Sequence, residues 1–240
     1  MAELLRAGHR RVHQVLVAEP AGTAGGPLAE IVGLARAAGV PVRAVQRAYL
    51  DSVALTDAPQ GVLARADPVP EVDLGELARP LGGVPAFVVV LEGVTDPHNV
   101  GAVLRSALCA GATGAVIGRH RAAGLTPAAV KAAAGAVEHL PLATVAGIPA
   151  ALATLASAGV WTVGLEAGAP SSMWGLEIAS EPLAVVLGAE AQGLSRLARQ
   201  RCELLVSIPM MGPLGSLNVA TAAALACFEV ARRRAGRAPS

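Results

Sequence analysis

Residues 86–105 of this 240-residue chain are AFVVVLEGVTDPHNVGAVLR, and this stretch decides the fold class. Its first six residues form a continuous apolar run, which predicts a β-strand that is buried on both faces. A polar turn follows, and the helical spacing that begins at Asn99 continues to Gly111. A buried strand that leads directly into a helix is the repeating unit of a parallel sheet covered by helices.

The same alternation continues along the rest of the chain. Further strands are predicted at 114–118, 160–165, 183–187 and 204–208, and further helices at 127–136, 149–158 and 217–234. The helix at 127–136 has Thr126 as its expected N-cap and Pro127 at its first position. These patterns predict an α/β fold whose parallel sheet is covered on both sides.

Composition limits the class of protein. Hydrophobic residues make up 53% of the chain and aromatic residues only 2%, so the core must consist mainly of Ala, Val and Leu. The net charge is +1, so nucleic-acid binding would depend on local clusters of Arg rather than on a global positive field. Three Cys without metal-ligand spacing predict free thiols in a reducing cytoplasm.

Several other classes lack their sequence signals. Residues 1–11 are charged and contain no apolar run, and the last helix is apolar over much less than the roughly 20 residues of a membrane span. The His and Asp residues are too scattered for a metal site, and the glycine patterns of dinucleotide sites, phosphate loops and serine hydrolases do not occur. We therefore expect a cytoplasmic protein with no membrane partner and no metal.

A Pro- and Gly-rich stretch at 67–85 divides the chain. We predict a small α/β unit over 1–66, a linker over 67–85 and the main domain over 86–236. Basic residues of the first unit suggest a binding surface, and they are Arg10, Arg11, His13, Arg36, Arg43 and Arg47. The alternative is that these Arg are solvated and balanced by nearby acids, and charge alone favours it.

Three polar stretches interrupt the apolar pattern of the main domain. In the first, Asn99 is a good N-cap, and Arg105 lies off the apolar stripe of its helix beside small neighbours that leave room for a ligand. Alternatively, Asn99 only caps the helix and Arg105 is an ordinary surface residue. Because ligands of open α/β sheets bind where strands end, the three stretches together favour an enzyme.

The second and third stretches follow the later strands. Gly188 and Gly193 permit close approach of the backbone to a ligand, and Glu190 between them could orient that ligand or could simply complement a following helix dipole. In the third stretch Ser216 is the expected N-cap. Asn218 then lies inside the first turn, where Asn is unfavourable, so we expect it to have a specific partner.

Together these residues resemble the SpoU (TrmH) family of RNA 2′-O-methyltransferases. Residues 91–107 resemble the family's motif 1, residues 185–194 its motif 2 and residues 207–220 its motif 3. The resemblance covers about residues 86–234 with the motifs in the expected order and spacing. The first unit resembles the small ribosomal-protein-like RNA-binding domain that many members carry.

The resemblance implies an α/β fold whose C-terminal segment threads a deep trefoil knot, a rare exception to unknotted chains. It also implies a homodimer and S-adenosylmethionine bound in the knot, mainly by backbone groups. The implied catalytic residues are Asn99, Arg105, Glu190 and Asn218. The implied cofactor-binding residues are Leu165, Glu166, Ala167, Gly188, Glu190, Ile208, Met210, Ser216, Leu217 and Asn218.

The resemblance implies that Arg105 acts as the base of the reaction, and chemistry changes this expectation. A guanidinium stays protonated in essentially all proteins, so it is a poor base. We expect Arg105 to clamp a substrate phosphate and to stabilise the alkoxide that develops at the 2′-oxygen. In-line positioning of the 2′-hydroxyl and the methyl group would contribute more to the rate than this clamp.

Residues 96–99 and 135–141 are most similar to the branch that methylates a guanosine in the peptidyl-transferase region of 23S rRNA. The expected activity is ribose 2′-O-methylation of large-subunit rRNA. Methylation of tRNA, antibiotic-resistance methylation of another rRNA nucleotide, and a non-catalytic RNA-binding knot protein remain alternatives. Two departures from the family stand out, because Ala220 replaces a frequent Ser and residues 56–61 lack a His before Gln60.

Overall fold

A computed structural model of the chain describes residues 1–19, 26–57, 59–119, 122–190 and 192–236. Ala58 and Ala191, which fall in two of the stretches quoted above, lie outside the described residues. The chain forms two units, one of residues 1–70 with 137–139 and one of residues 71–136 with the part that begins at Leu140. Each unit has its own sheet.

The first unit is built on three strands in the order β2-β1-β3. Their bounds are Val12–Ala18 for β1, Val42–Val45 for β2 and Val62–Ala66 for β3. Strand β1 pairs parallel with β2 and antiparallel with β3. The helices are α1 (Ala2–Ala7), α2 (Pro27–Ala37) and α3 (Arg47–Val53).

Helices cover the two faces of this sheet unequally. Val15 and Val17 of β1 point to one face, where they pack with Ile31 and Ala35 of α2 and with residues of α1. On the other face Leu16, Ala18 and Val45 pack with Leu50 of α3. This second cluster is the smaller of the two.

The second unit contains a seven-stranded sheet in the order β6-β5-β4-β9-β7-β10-β8, with every neighbouring pair parallel. The strands are β4 (Phe87–Leu91), β5 (Gly114–Gly118), β6 (Leu142–Val145), β7 (Trp161–Leu165), β8 (Ser171–Ser172), β9 (Leu183–Leu187) and β10 (Leu204–Ser207). The helices are α4 (Leu74–Leu77), α5 (Pro97–Cys109), α6 (Pro127–Ala132), α7 (Ile148–Ser157), α8 (Arg196–Arg201) and α9 (Val219–Ala235). The predicted α/β class and parallel sheet are confirmed.

Several boundaries differ from the sequence prediction. Helix α6 ends at Ala132 rather than 136, because Ala134 and Gly135 have φ of 52° and 98°. Strand β6 is short and contains Thr144, which explains why its pattern was too weak to predict. Within the stretch predicted as a linker, α4 buries Leu77 against the core of the second unit.

The two predicted helix caps of the polar stretches are wrong in detail. Helix α5 is capped by Asp96, whose carboxylate accepts from the His98 N–H at 2.8 Å, so Asn99 is already inside the first turn. Helix α9 is capped by Asn218 rather than Ser216. Pro97 explains the first shift, because proline is favoured at the first helical position directly after a cap.

The C-terminal end of α9 is fastened to the amino edge of the sheet. Arg234 donates hydrogen bonds of 2.8–3.0 Å to the carbonyls of Pro85, Ala86, Ala179 and Glu181, and its Cζ lies 5.2 Å from the Phe87 ring centre. The buried carboxylate of Glu229 accepts from Arg232, Arg233 and the Gly175 N–H. These contacts fix the direction in which α9 crosses the unit.

Candidate active site

A cavity of about 620 Å³ opens where β7, β9 and β10 end. It is lined by residues of the three loops that follow these strands, namely 165–168, 187–190, 192–193, 207–210, 215–217, 219 and 222. The strands are neighbours in the sheet, so their carboxyl ends lie side by side. A crevice at this edge is the usual binding position of an open parallel sheet.

Nine of the ten residues predicted to bind the cofactor line this cavity. They are Leu165, Glu166, Ala167, Gly188, Glu190, Ile208, Met210, Ser216 and Leu217. The tenth, Asn218, is the next residue of the chain and caps α9. The structure therefore brings together residues that are separated by more than 50 positions in the sequence.

The loop after β9 folds back on itself beside the cavity. Ala189 and Gly193 exchange two backbone hydrogen bonds of 2.8 and 3.1 Å. A Cβ atom added to Gly188 would lie 2.1 Å from the carbonyl carbon of Gly193, so glycine is required there. The turn leaves backbone groups rather than side chains at this part of the cavity wall.

Three predicted catalytic side chains form one chain of hydrogen bonds. The Asn218 Nδ2 donates to Asn99 Oδ1 at 3.1 Å, and the Asn99 Nδ2 donates to Glu190 Oε1 at 2.6 Å. Asn218 Oδ1 accepts from the backbone N–H groups of Ala220 and Thr221 at 2.9 and 3.3 Å. We call Asn218, Asn99 and Glu190 the amide relay.

The start of α9 determines the orientation of the whole relay. Since Asn218 Oδ1 accepts from backbone N–H groups, its Nδ2 must face Asn99. Asn99 then presents its oxygen to Asn218 and its Nδ2 to Glu190, which accepts as a carboxylate. Asn218 therefore has a specific partner, as predicted, but the position assumed for it was wrong, because it is the N-cap of α9 and not a residue of the first turn.

Arg105 is not part of the relay. It lies on α5 six residues after Asn99, which places it roughly 9 Å further along the axis and about 120° around the helix. Its side chain is exposed, and among the described residues no hydrogen bond or ion pair engages its guanidinium. Arg105 is therefore free to bind an anion that approaches α5 from solvent.

Glu166 is the charged residue of the loop after β7. Its Oε1 forms an ion pair with Arg199 Nη2 of α8 at 2.6 Å, while its Oε2 is buried without a partner among the described residues. An unpaired buried carboxylate oxygen is costly, so this site has unused capacity to accept a hydrogen bond from a ligand.

One neighbouring group, Glu92, was missed by sequence reasoning, whereas Cys202 is a free thiol as predicted. Glu92, directly after β4, accepts from the Ser195 backbone N–H at 2.8 Å and from its hydroxyl at 2.7 Å, and so holds the start of α8. Only the position of Glu92 directly after a strand could have indicated that Glu92 has this role.

Burial and then the nearby carboxylates raise the pKa of the Cys202 thiol to about 12, so this residue stays a neutral thiol.

The described residues were also compared with the requirements of a metal site and of a membrane span. Across the described ranges, no group of three or more His, Cys, Asp and Glu residues could hold a metal ion. Each described helix is too short or too polar to cross a membrane. Of the cysteines, Cys227 is buried and burial raises its pKa to about 12.

Comparison with protein families gives two matches that together cover most of the chain. Residues 86–228 match the SpoU rRNA Methylase family, and residues 2–72 match the RNA 2′-O ribose methyltransferase substrate-binding family. The 23S rRNA (guanosine-2′-O-)-methyltransferase RlmB of Xylella fastidiosa is 41% identical over 93% of this chain and 89% of its own length.

Solved structures resemble the chain along nearly its whole length. The SpoU methyltransferase AviRb from Streptomyces viridochromogenes in complex with AdoMet superposes with a TM-score of 0.79 at 25% identity, covering 98% of this chain and 87% of AviRb. A crystal structure of an RNA 2′-O ribose methyltransferase gives a TM-score of 0.78 at 29% identity over 97% and 85% of the two chains.

Proposed function

Because the chain belongs to the SpoU rRNA methylase family, we propose that it transfers a methyl group from S-adenosylmethionine to the ribose 2′-hydroxyl of a guanosine in 23S rRNA. The observation that carries this proposal is the amide relay, whose Glu190 lines the cavity. The relay joins all three motifs through side chains 91 and 119 positions apart. The RlmB relatives, at about 40% identity, support guanosine as the target.

The cavity residues fit S-adenosylmethionine. A volume of about 620 Å³ lies within the range of roughly 300–1,000 Å³ that is typical of small-molecule sites. The glycine turn at Gly188 brings backbone groups to the wall, and Glu166 Oε2 can accept from a hydroxyl or amine of the ligand. When bound, this cofactor supplies a methyl group activated by a sulfonium.

The relay would act by holding the loop after β9 against α5 and α9. Glu190 is kept in one position because Asn99 donates to its Oε1, and Asn99 is kept in one orientation by Asn218. Fixed side chains lower the cost of aligning two reactants, which is the largest contribution expected for this reaction. We assign Asn99, Glu190 and Asn218 to positioning at the site.

Arg105 would bind the RNA. Its exposed guanidinium can take a phosphate next to the target ribose in a bidentate contact and can stabilise negative charge on the attacking oxygen. This role needs a planar, permanently charged group and no proton transfer to Arg105.

The strand order supports a trefoil knot in the C-terminal segment. Strand β9 enters the sheet between β4 and β7, β10 then adds on the far side of β7, and α9 packs on α5 and β9. We place the small RNA-binding unit at 1–66, the linker at 67–85 and the knotted catalytic domain at 86–236.

A homodimer is part of the proposal. Helix α9 leaves Leu225 and Phe228 exposed by 39% and 52%, and α9 packs beside α5, which carries Arg105. A second copy that covers these apolar side chains would remove them from water. A cytoplasmic location would give the enzyme access to rRNA.

The test is methyl transfer from labelled S-adenosylmethionine to separate pools of tRNA, naked 23S rRNA and assembled large subunits. We expect label in 23S rRNA or in the subunits, and nuclease digestion should yield 2′-O-methylguanosine. Label in tRNA alone, or on a base instead of a ribose, would overturn the proposal.

The clamp role of Arg105 has its own test. We expect Arg105→Ala to lower kcat on the order of 10²–10³-fold, which is the loss typical of one transition-state donor. Arg105→Lys should recover only a small part of this rate, because lysine keeps the charge but not the planar fork. The Kd for S-adenosylmethionine, measured by calorimetry, should not change. Near-normal turnover of Arg105→Lys would exclude the planar clamp.

A further inference from the structure

The sheet in the first unit carries two arginines on one face. Leu16 of β1 pairs with Arg43 of β2, and Gln14 of β1 pairs with Arg65 of β3. Gln14 and Leu16 are two residues apart on one strand, so their side chains, and those of Arg43 and Arg65, point to the same face. We call Gln14, Arg43 and Arg65 the basic face.

Neither arginine of the basic face is neutralised within the described residues. Both side chains are exposed and neither takes part in a hydrogen bond or an ion pair there. Two other arginines of this unit do have acidic partners, since Arg47 pairs with Asp51 and Arg6 pairs with Glu3 and Glu30. Asp67, which follows β3, is bonded to His13 Nε2 at 2.6 Å.

The spacing of the two arginines suits separate anionic groups. Two strand intervals of about 4.8 Å and two residues of about 3.3 Å place their Cα atoms roughly 12 Å apart. On this face Leu50 of α3 packs with Leu16 and Ala18. Gln14 is half-buried and both arginines are exposed, so an extended polyanion that crosses the strands could reach both guanidiniums.

We propose that the basic face binds the phosphate backbone of the substrate RNA, with Arg43 and Arg65 on different phosphates. This inference rests on the proposed function, because it takes RNA as the substrate. We take RNA rather than an acidic peptide as the occupant, since Tyr49 is half-exposed on α3, the helix whose Leu50 packs on this face, and an exposed tyrosine ring can stack on an unpaired base. The sequence alone favoured solvated arginines balanced by nearby acids, and it did not single out Arg65. Both Arg43 and Arg65 are exposed, and neither has an acidic partner among the residues that the structure describes.

The experiment compares three single variants of the full chain in binding to transcribed 23S rRNA at several salt concentrations. Arg43→Ala and Arg65→Ala should each weaken binding about three- to tenfold and lower the slope of log K against log salt by roughly 0.7 to 0.9. Arg36→Ala is the matched control, because Arg36 is also exposed and, within the described ranges, unpaired but lies on α2, which covers the opposite face.

Lysine variants and turnover complete the test. Arg43→Lys and Arg65→Lys should keep most of the affinity, as expected for phosphate contacts, and both alanine variants should raise the KM for RNA with kcat and the Kd for S-adenosylmethionine unchanged. Equal RNA affinities of all three alanine variants, or no loss of affinity in any of them, would overturn the proposal that the basic face binds RNA. If the unaltered chain methylates 23S rRNA in that case, the proposed function still stands. If it methylates only another RNA, the same comparison is made with that RNA.

Discussion

The two ends of α9 carry polar residues on the same apolar helix, about 25 Å apart, and use them in opposite ways. At the carboxyl edge of the sheet, Asn218 is exposed and bonds to side chains of another motif. At the amino edge, Arg234 is half-buried and bonds only to main-chain carbonyls. The first end completes a candidate site, and the second end locks the helix in place.

This difference shows how a polar residue in an apolar segment is to be interpreted. The basic run Arg232–Arg234 could supply the local cluster that RNA binding needs in a chain of net charge +1. Instead, Glu229 and the main chain engage all three guanidiniums. Whether a polar side chain binds a ligand or stabilises the fold therefore depends more on its hydrogen-bond and ion-pair partners than on its residue type.

The largest expected effect separates the two tasks of Asn218. Its Oδ1 caps α9 and its Nδ2 orients Asn99. Asn218→Asp keeps the cap, because Asp and Asn are about equally good N-caps, but replaces the donor by a second carboxylate. Whichever way the Asn99 amide turns, its oxygen then faces a carboxylate, either the one introduced by this substitution or that of Glu190. We expect methyl transfer to fall on the order of 10²-fold, the loss typical of misplaced reactants.

The control for this variant is Asn218→Ala, which removes both functions. It should lose methyl transfer to a similar extent and also about 1 kcal/mol in the free energy of unfolding, the usual cost of a missing cap. Urea unfolding should show Asn218→Asp close to the unaltered chain. If Asn218→Asp transfers methyl groups at the normal rate, the orientation of the relay has no part in activity.

A substitution of Arg234, at the other end of α9, should lower stability and leave methyl transfer unchanged. Arg234→Ala removes one donor from each of four carbonyls, of which, among the described residues, only that of Ala86 still accepts, from the Leu183 N–H, and it removes the contact over Phe87. We therefore expect a loss of about 2 to 3 kcal/mol in the free energy of unfolding. Urea unfolding measures this loss, and the rate of methyl transfer per folded molecule should stay normal. Exposed Arg196 on α8 is a matched control, and Arg196→Ala should change stability by less than about 0.5 kcal/mol.

Much of the second unit could be predicted, because its information is local. Continuous apolar strands such as 87–91 and 183–187 indicate a parallel sheet, and parallel strands place the polar stretches that follow them at one edge. This pattern alone brings Glu190 and Asn218 to the same region. The cap of α5 was also within reach, since Pro97 identifies Asp96 as the residue before the helix.

Other features depend on contacts that a sequence pattern does not contain. Glu92 and Ser195 are 103 positions apart, and nothing in either segment indicates the other. The partners of Arg234 are main-chain carbonyls, which every residue has, so only the fold selects them. Whether an exposed arginine such as Arg43 has an acidic partner depends on which acids the tertiary structure brings near, and charge counting does not contain that information.

The smallest expected effect is a pH dependence of stability that arises from Glu229, near the C-terminal end of α9. Hydrogen bonds from Arg232, offset in part by burial and aided by the Gly175 N–H and Arg233, lower the pKa of Glu229 from 4.5 to about 2. A carboxyl group whose pKa is lowered in the folded state stabilises it above the unfolded pKa, and the contribution is lost as pH falls toward the folded value. Between pH 5 and pH 3 the unaltered chain should therefore lose about 1 kcal/mol that Glu229→Gln does not lose, after allowance for solvent screening of the exposed Arg232. Urea titrations at both pH values measure this difference. Equal losses in the two proteins would show that Glu229 is not what ties this end of α9 to the loop at Gly175.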